Sequence, residues 1–147
     1  MREIKFRAWH NRLKRMFLLE EMAGDQLCLL PTGRFINCHS IKSLSKVYTY
    51  AEMLPLQFTG LLDRDGVEIY EGDIVVIGEA SGDKVPAIVK FGEGTITACG
   101  YDDHNDYNYW GWYLDGLIGC DEELKIGNDI KVIGNIYENP ELAEVKK

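Results

Sequence analysis

The chain has 147 residues, 46% hydrophobic and 27% charged, with 24 Asp and Glu against 16 Lys and Arg. That composition is globular and excludes a disordered chain; it supplies one hydrophobic core, or two small units sharing one. The formal charge of −8 argues against a dedicated duplex-DNA binder, whose affinity comes largely from neutralising phosphates.

Period-two alternation broken by turn residues runs through the chain, the mark of β-strands. In Glu3–Trp9, Ile4, Phe6 and Ala8 share one face, expected toward the core, and Glu3, Lys5, Arg7 and Trp9 share the other. The polar stretch His10–Arg15 separates this strand from Met16-Phe17-Leu18-Leu19, which predicts a β-hairpin with a basic tip. Gln26–Leu30 and Arg34–Asn37 flank Pro31-Thr32-Gly33, a second hairpin. Ser40–Leu54 mixes loose helical spacing with the β-prone Tyr48-Thr49-Tyr50 and reads as connector or short strand. Leu56–Thr59 is a strand, Asp63-Arg64-Asp65-Gly66 a turn, and Val67–Ile69 the return. A second turn, Tyr70-Glu71-Gly72-Asp73, launches Ile74–Ile77. Val85–Phe91 and Thr95–Cys99 are expected as a strand pair around Gly92-Glu93-Gly94, and Trp110–Leu114 as a short aromatic strand. Asp129–Tyr137 is the last strand, with Gly134 marking a bulge or bend. Asn139-Pro140-Glu141 has the pattern of a helix start, with room for about two turns. Short, closely spaced strands with 15 glycines point to a mainly β chain built as a barrel or sandwich.

The charge is uneven. Residues 1–15 carry six cations, Arg2, Lys5, Arg7, Arg12, Lys14 and Arg15, against Glu3 alone, a net of +5 that leaves −13 for the rest. No stretch reaches the ~18 consecutive apolar residues of a membrane helix. The opening Met1-Arg2-Glu3-Ile4-Lys5 alternates charged and apolar residues where a signal peptide is continuously apolar, so the expectation is a cytoplasmic protein with no membrane partner. Cys28, Cys38, Cys99 and Cys120 include no close ligand pair of a zinc site. In a reducing compartment they are expected as four free, mostly buried thiols.

Two surfaces are candidates for interaction. The first is the basic hairpin, with Lys5 and Arg7 outward beside Arg12, Lys14 and Arg15. It would meet an anionic partner, nucleic acid or acidic protein, although a solvated strand face pairing with the acids of its own chain or of a neighbouring copy is the favoured reading. The second is Tyr107, Tyr109, Trp110, Trp112 and Tyr113. Alternation gives Trp110 and Trp112 one face and Tyr109 and Tyr113 the other, so at least half of them are core. The remainder suits a protein interface better than stacked bases, because Asp102, Asp103 and Asp106 lie beside them without a cation. The loop Asp102-Asp103-His104-Asn105-Asp106 fails as a calcium loop, since the sixth position from Asp103 is Asn108 and the twelfth Leu114. No nucleophile–base motif is present among the sequence patterns of known hydrolases, nucleotide binders or zinc proteases. The expectation is a protein that is not an enzyme and has no cofactor and no metal.

Three stretches together resemble the YopX family of phage and prophage proteins. They are Arg2–Trp9 at the start, Gln57-Phe58-Thr59-Gly60-Leu61 through Gly66 to Glu68–Val75 in the middle, and Val132–Leu142 at the end. The resemblance implies a mainly β protein with a smaller N-terminal β-subdomain, residues 1–54, and an SH3-like barrel over 55–147. It also implies a phage or integrated-element origin and a homo-oligomer, but no activity. His10 departs from the family, which often has Asp after the Trp. Within the matching stretches Gly60, Gly66, Gly72 and Gly134 read as backbone-geometry positions. Asp73 reads as a turn acceptor, Tyr70 and Tyr137 as buried rings with a bonded hydroxyl, and Pro140 as a helix start. These are scaffold roles. The expected function is therefore an accessory protein acting by protein binding, with a host or phage partner, or by self-association. A nucleic-acid-associated protein using the basic hairpin is the alternative, and a hydrolase or metal protein using Asp102, Asp103 and His104 a weaker one.

Overall fold

The computed structural model describes residues 3–37, 52–77, 86–97, 106–116, 122–123 and 129–143. The chain is mainly β and divides into two compact units, Met1–Phe58 and Thr59–Lys147, with the division inside strand β5, Met53–Leu62.

In the first unit, β1 (Phe6–His10) and β2 (Arg15–Phe17) form an antiparallel hairpin in which Ala8 faces Phe17 and His10 faces Arg15. The other edge of β1 pairs with β5, Phe6 opposite Gln57 and His10 opposite Met53. A second hairpin joins β3 (Leu27–Leu29) to β4 (Phe35–Asn37), with Gly33 at φ +75 in its turn. Ala8, Phe17, Met22, Phe35 and Met53 are the buried core of this unit.

Three sequence expectations change here. The run Met16–Leu19 is not one strand: β2 ends at Phe17, and a six-residue helix α1, Leu19–Gly24, follows. The Glu21 carboxylate accepts the Leu18 backbone N–H at 3.1 Å, the acidic half of a capping box, and Met22 buries one face of the turn. Ala8 is buried as predicted, but Ile4 is 70% exposed and Trp9, expected outward, only 4% exposed, so β1 is covered on both sides from Ala8 to His10. Cys28 is disulfide-bonded and exposed, not a buried free thiol.

In the second unit β5 runs on beside β6 (Glu68–Tyr70). A five-stranded antiparallel sheet curls as a half-barrel in the order β10-β9-β8-β7-β11. Its strands are β7 (Asp73–Ile77), β8 (Pro86–Thr97), β9 (Asp106–Gly116), β10 (Glu122–Glu123) and β11 (Ile130–Asn135). Ile69, Val75, Val89, Trp112, Leu114 and Ile130 fill the core, each large aliphatic side chain contributing about 1.5–3 kcal/mol by leaving water. Val85–Phe91 and Thr95–Cys99 are not a hairpin about Gly92-Glu93-Gly94. β8 passes straight through, Gly92 opposite Gly111 and Glu93 opposite Trp110, and Gly92 at φ +148 keeps the strand extended where another residue would strain. The predicted short aromatic strand is correspondingly the eleven-residue β9. The register of β11 on β7 slips between Val132 and Gly134, a β-bulge at the predicted glycine. After β11 comes a short 3₁₀ turn, Pro140–Ala143, opening at the Pro140 read as a helix start. No helix among the described residues is long and apolar enough to cross a membrane.

Candidate interaction surface

The basic hairpin does not present its cations together. The Lys5 side chain is 13% exposed, reaching Glu3 at 3.8 Å and lying 4.4 Å from the Phe58 ring centroid. Arg7 is half-buried. Arg15 bonds Glu21 at 2.9 Å and covers the Phe17 ring at 3.9 Å. The Leu18 backbone N–H, and Arg15 after it, hold the Glu21 carboxyl below its usual range. Arg12 and Lys14 remain exposed in the turn, with Lys14 at φ +52. His10 anchors that turn from below. It is 3% exposed, its Nδ1 accepts the Leu13 N–H at 3.4 Å, and its carbonyl accepts the Lys14 N–H at 2.9 Å.

The scaffold motifs converge in the second unit. Asp73, 1% exposed, accepts the Tyr70 N–H at 2.8 Å, and the Tyr70 hydroxyl donates to Glu68 at 2.7 Å. Gly72, at φ +79, donates its N–H to the Val89 carbonyl and accepts from Ile136. A Cβ there would sit 3.3 Å from the half-buried Tyr137 ring, so the turn and the chain after β11 touch because the residue is glycine. Asn135 accepts the N–H groups of Tyr137 and Glu138, and Pro140 opens the 3₁₀ turn. Gly60 and Gly66 lie at φ +89 and +82. The Asp63 carboxylate, 7% exposed, accepts from Asp65 and Val67 in its own turn, as an Asp in that turn predicts; that it also accepts from Val132 on β11 at 3.0 Å has no local signal. Burial raises its pKa, but the Val132, Val67 and Asp65 amides and the charge of Lys131 outweigh that and hold it below the usual value. Gly72, Tyr137, Tyr113, Lys90 and Glu71 surround a cleft of about 270 Å³; Lys90 bonds Asp115 across the strands.

On β9 the aromatics separate. Trp112 is 9% exposed and belongs to the core rather than to a surface. Tyr113 is half-buried beside the cleft. Tyr107 and Tyr109 lie on β9, with their side chains outside what is described; Asp102, Asp103 and His104 lie outside the described residues altogether. Trp110 is 73% exposed. Its neighbour is Phe91 of β8, 48% exposed and edge-on at 6.3 Å between ring centroids, and Phe91 in turn lies 4.9 Å from Trp112. Sequence reasoning missed Phe91 and Glu93 because it placed a turn at Gly92–Gly94. The alternation Val89, Phe91, Glu93 through those glycines was the available signal.

The fold and this surface define a mainly β protein with an aromatic patch at the exposed end of a core stripe. The YopX protein family model matches residues 5–144, and the chain belongs to the YopX family. It is similar to the crystal structure of protein EF1440 from Enterococcus faecalis, with 25% identity and a TM-score of 0.50 over 98% of this chain and 100% of that one. No curated protein matches it.

Proposed function

We propose that the chain is a non-enzymatic accessory protein of phage or prophage origin that acts in the cytoplasm through protein contacts, chiefly with copies of itself, and without a cofactor. Its half-barrel is read as an open SH3-like barrel. The observation that carries the proposal is the exposed Phe91–Trp110 pair, 48% and 73% exposed, since adjacent large aromatics left uncovered beside a packed core mark protein interfaces. The uneven charge supports it: the first unit holds nine Lys and Arg against five Asp and Glu, the second seven against nineteen, nets of +4 and −12. Units of opposite net charge on two copies attract one another. Within the described hairpin the ion pairs of Lys5 and Arg15 leave Arg12 and Lys14 as the exposed cations of the turn, which weighs against a nucleic-acid surface there. Light scattering across a hundredfold concentration range, with pull-down from host lysate, tests the proposal. Mass should rise with concentration; a strict monomer retaining no partner overturns it.

A further inference from the structure

Directly opposite residues of paired strands share a sheet face. Val89, Phe91 and Glu93 on β8 therefore stand beside Leu114, Trp112 and Trp110 on β9. The first pair is core, with Val89 and Leu114 at 0% and 1% exposure. Two residues along, Phe91 and Trp112 are in ring contact, with Phe91 half in solvent. At the far end stand Trp110 and the exposed carboxylate of Glu93, which has no ion-pair partner among the described residues. An open aromatic face with a carboxylate alongside suits a cation on an apolar stem: the ring quadrupole and the carboxylate both favour positive charge, and the ring buries the methylenes.

The first unit carries a segment of that chemistry. In the turn after β1, Arg12 and Lys14 are exposed and without an ion-pair partner among the described residues, and Leu13 between them is 56% exposed. Their unit is net positive, and the unit bearing Trp110 is strongly negative. Resting on the self-association proposed above, we infer that the Arg12–Lys14 turn of one copy docks on the Phe91–Trp110–Glu93 face of a second copy. A guanidinium or ammonium group covers the Trp110 ring beside Glu93, and Leu13 packs on Phe91. The two patches differ, so the contact is heterologous and joins copies head to tail.

Sedimentation velocity of the full chain tests this through two surface variants, Trp110→Ala and Arg12→Glu/Lys14→Glu, with circular dichroism confirming that each is folded. Each alone should weaken association roughly tenfold or more, and Glu93→Lys should do the same. Mixing the first two variants leaves one intact turn and one intact face, so the mixture should form a 1:1 complex that neither variant forms alone. If the variants associate as the parent does, or if the mixture stays monomeric, the docking assignment is overturned while self-association stands. If the parent itself is monomeric at every concentration, both fall.

Discussion

Asp63 shows how one side chain can tie distant segments. Three backbone N–H groups, the farthest 69 residues away, converge on its carboxylate, and a buried acceptor with three donors is costly to remove. Asp63→Ala should cost about 2–4 kcal/mol, read from the urea midpoint at pH 7. Its folded pKa is depressed. Its stabilisation is therefore complete above the unfolded value of 3.8 and is lost as the pH falls below that through the lower folded value. Asp63→Asn should remove part of the loss between pH 5 and pH 2 on a urea series; an unchanged acid profile would contradict the assignment. His10 makes a parallel case in the first unit. Its Nδ1 accepts from the Leu13 amide and its Nε2 is buried with no hydrogen-bond partner among the described residues, so the turn uses one nitrogen and carries the other at a cost. His10→Ala orphans the Leu13 N–H and opens space beside Phe17, whose ring centroid is 5.9 Å away; it should destabilise by about 1–3 kcal/mol. His10→Asn, which keeps a turn acceptor, should lose less.

Elements were legible where local chemistry and alternation agreed. The hairpin at Pro31-Thr32-Gly33 and the turn at Asp63–Gly66 carry their own geometry, in glycines at φ +75 and +82 and a carboxylate that bonds its own turn. Gly134 was readable as a bulge, and the structure adds the reason it is glycine: a Cβ would lie 2.6 Å from Asn139 Oδ1 and 2.9 Å from Leu142. Gly134→Ala should therefore lower the urea midpoint by the equivalent of about 1–3 kcal/mol. Illegible features were those decided by a partner far along the chain. Gly92-Glu93-Gly94 has a turn composition, but pairing with β9 holds it straight. Leu18 and Leu19 continue an apolar run, but Glu21 starts a helix there. Trp9 faces the predicted solvent side yet is buried. For the cysteines, spacing excluded a close zinc pair but was silent about which thiols meet. With Cys28 in a disulfide, at most two of the four cysteines are free thiols. Protein purified without reductant and then denatured should take up no more than two alkyl groups by mass; three or four would contradict the bond.

At the scale of the molecule, charge decides between partners. The net +4 of the first unit could suit a phosphate backbone if its cations faced outward together. Instead Lys5 lies against Phe58 and Arg15 against Glu21 and Phe17, which leaves Arg12 and Lys14 as the exposed pair in the hairpin turn. Two phosphate contacts supply a shallow salt slope and weak binding, and the −12 of the second unit repels a polyanion within about a Debye length, a reach that grows as ionic strength falls. Attraction between the oppositely charged units of two copies is screened by the same salt but, on the proposed docking, is backed by aromatic burial at Phe91 and Trp110, which salt does not remove. The two partners therefore separate in one experiment. Raising salt from 50 to 500 mM should weaken self-association only partly by light scattering. In the same buffers a labelled duplex oligonucleotide should show no anisotropy change at about 10 μM protein, weaker than typical non-specific binders. Saturable, steeply salt-dependent binding of the duplex, lost in Arg12→Glu/Lys14→Glu, would reverse the order of the two readings and return the basic turn to nucleic acid.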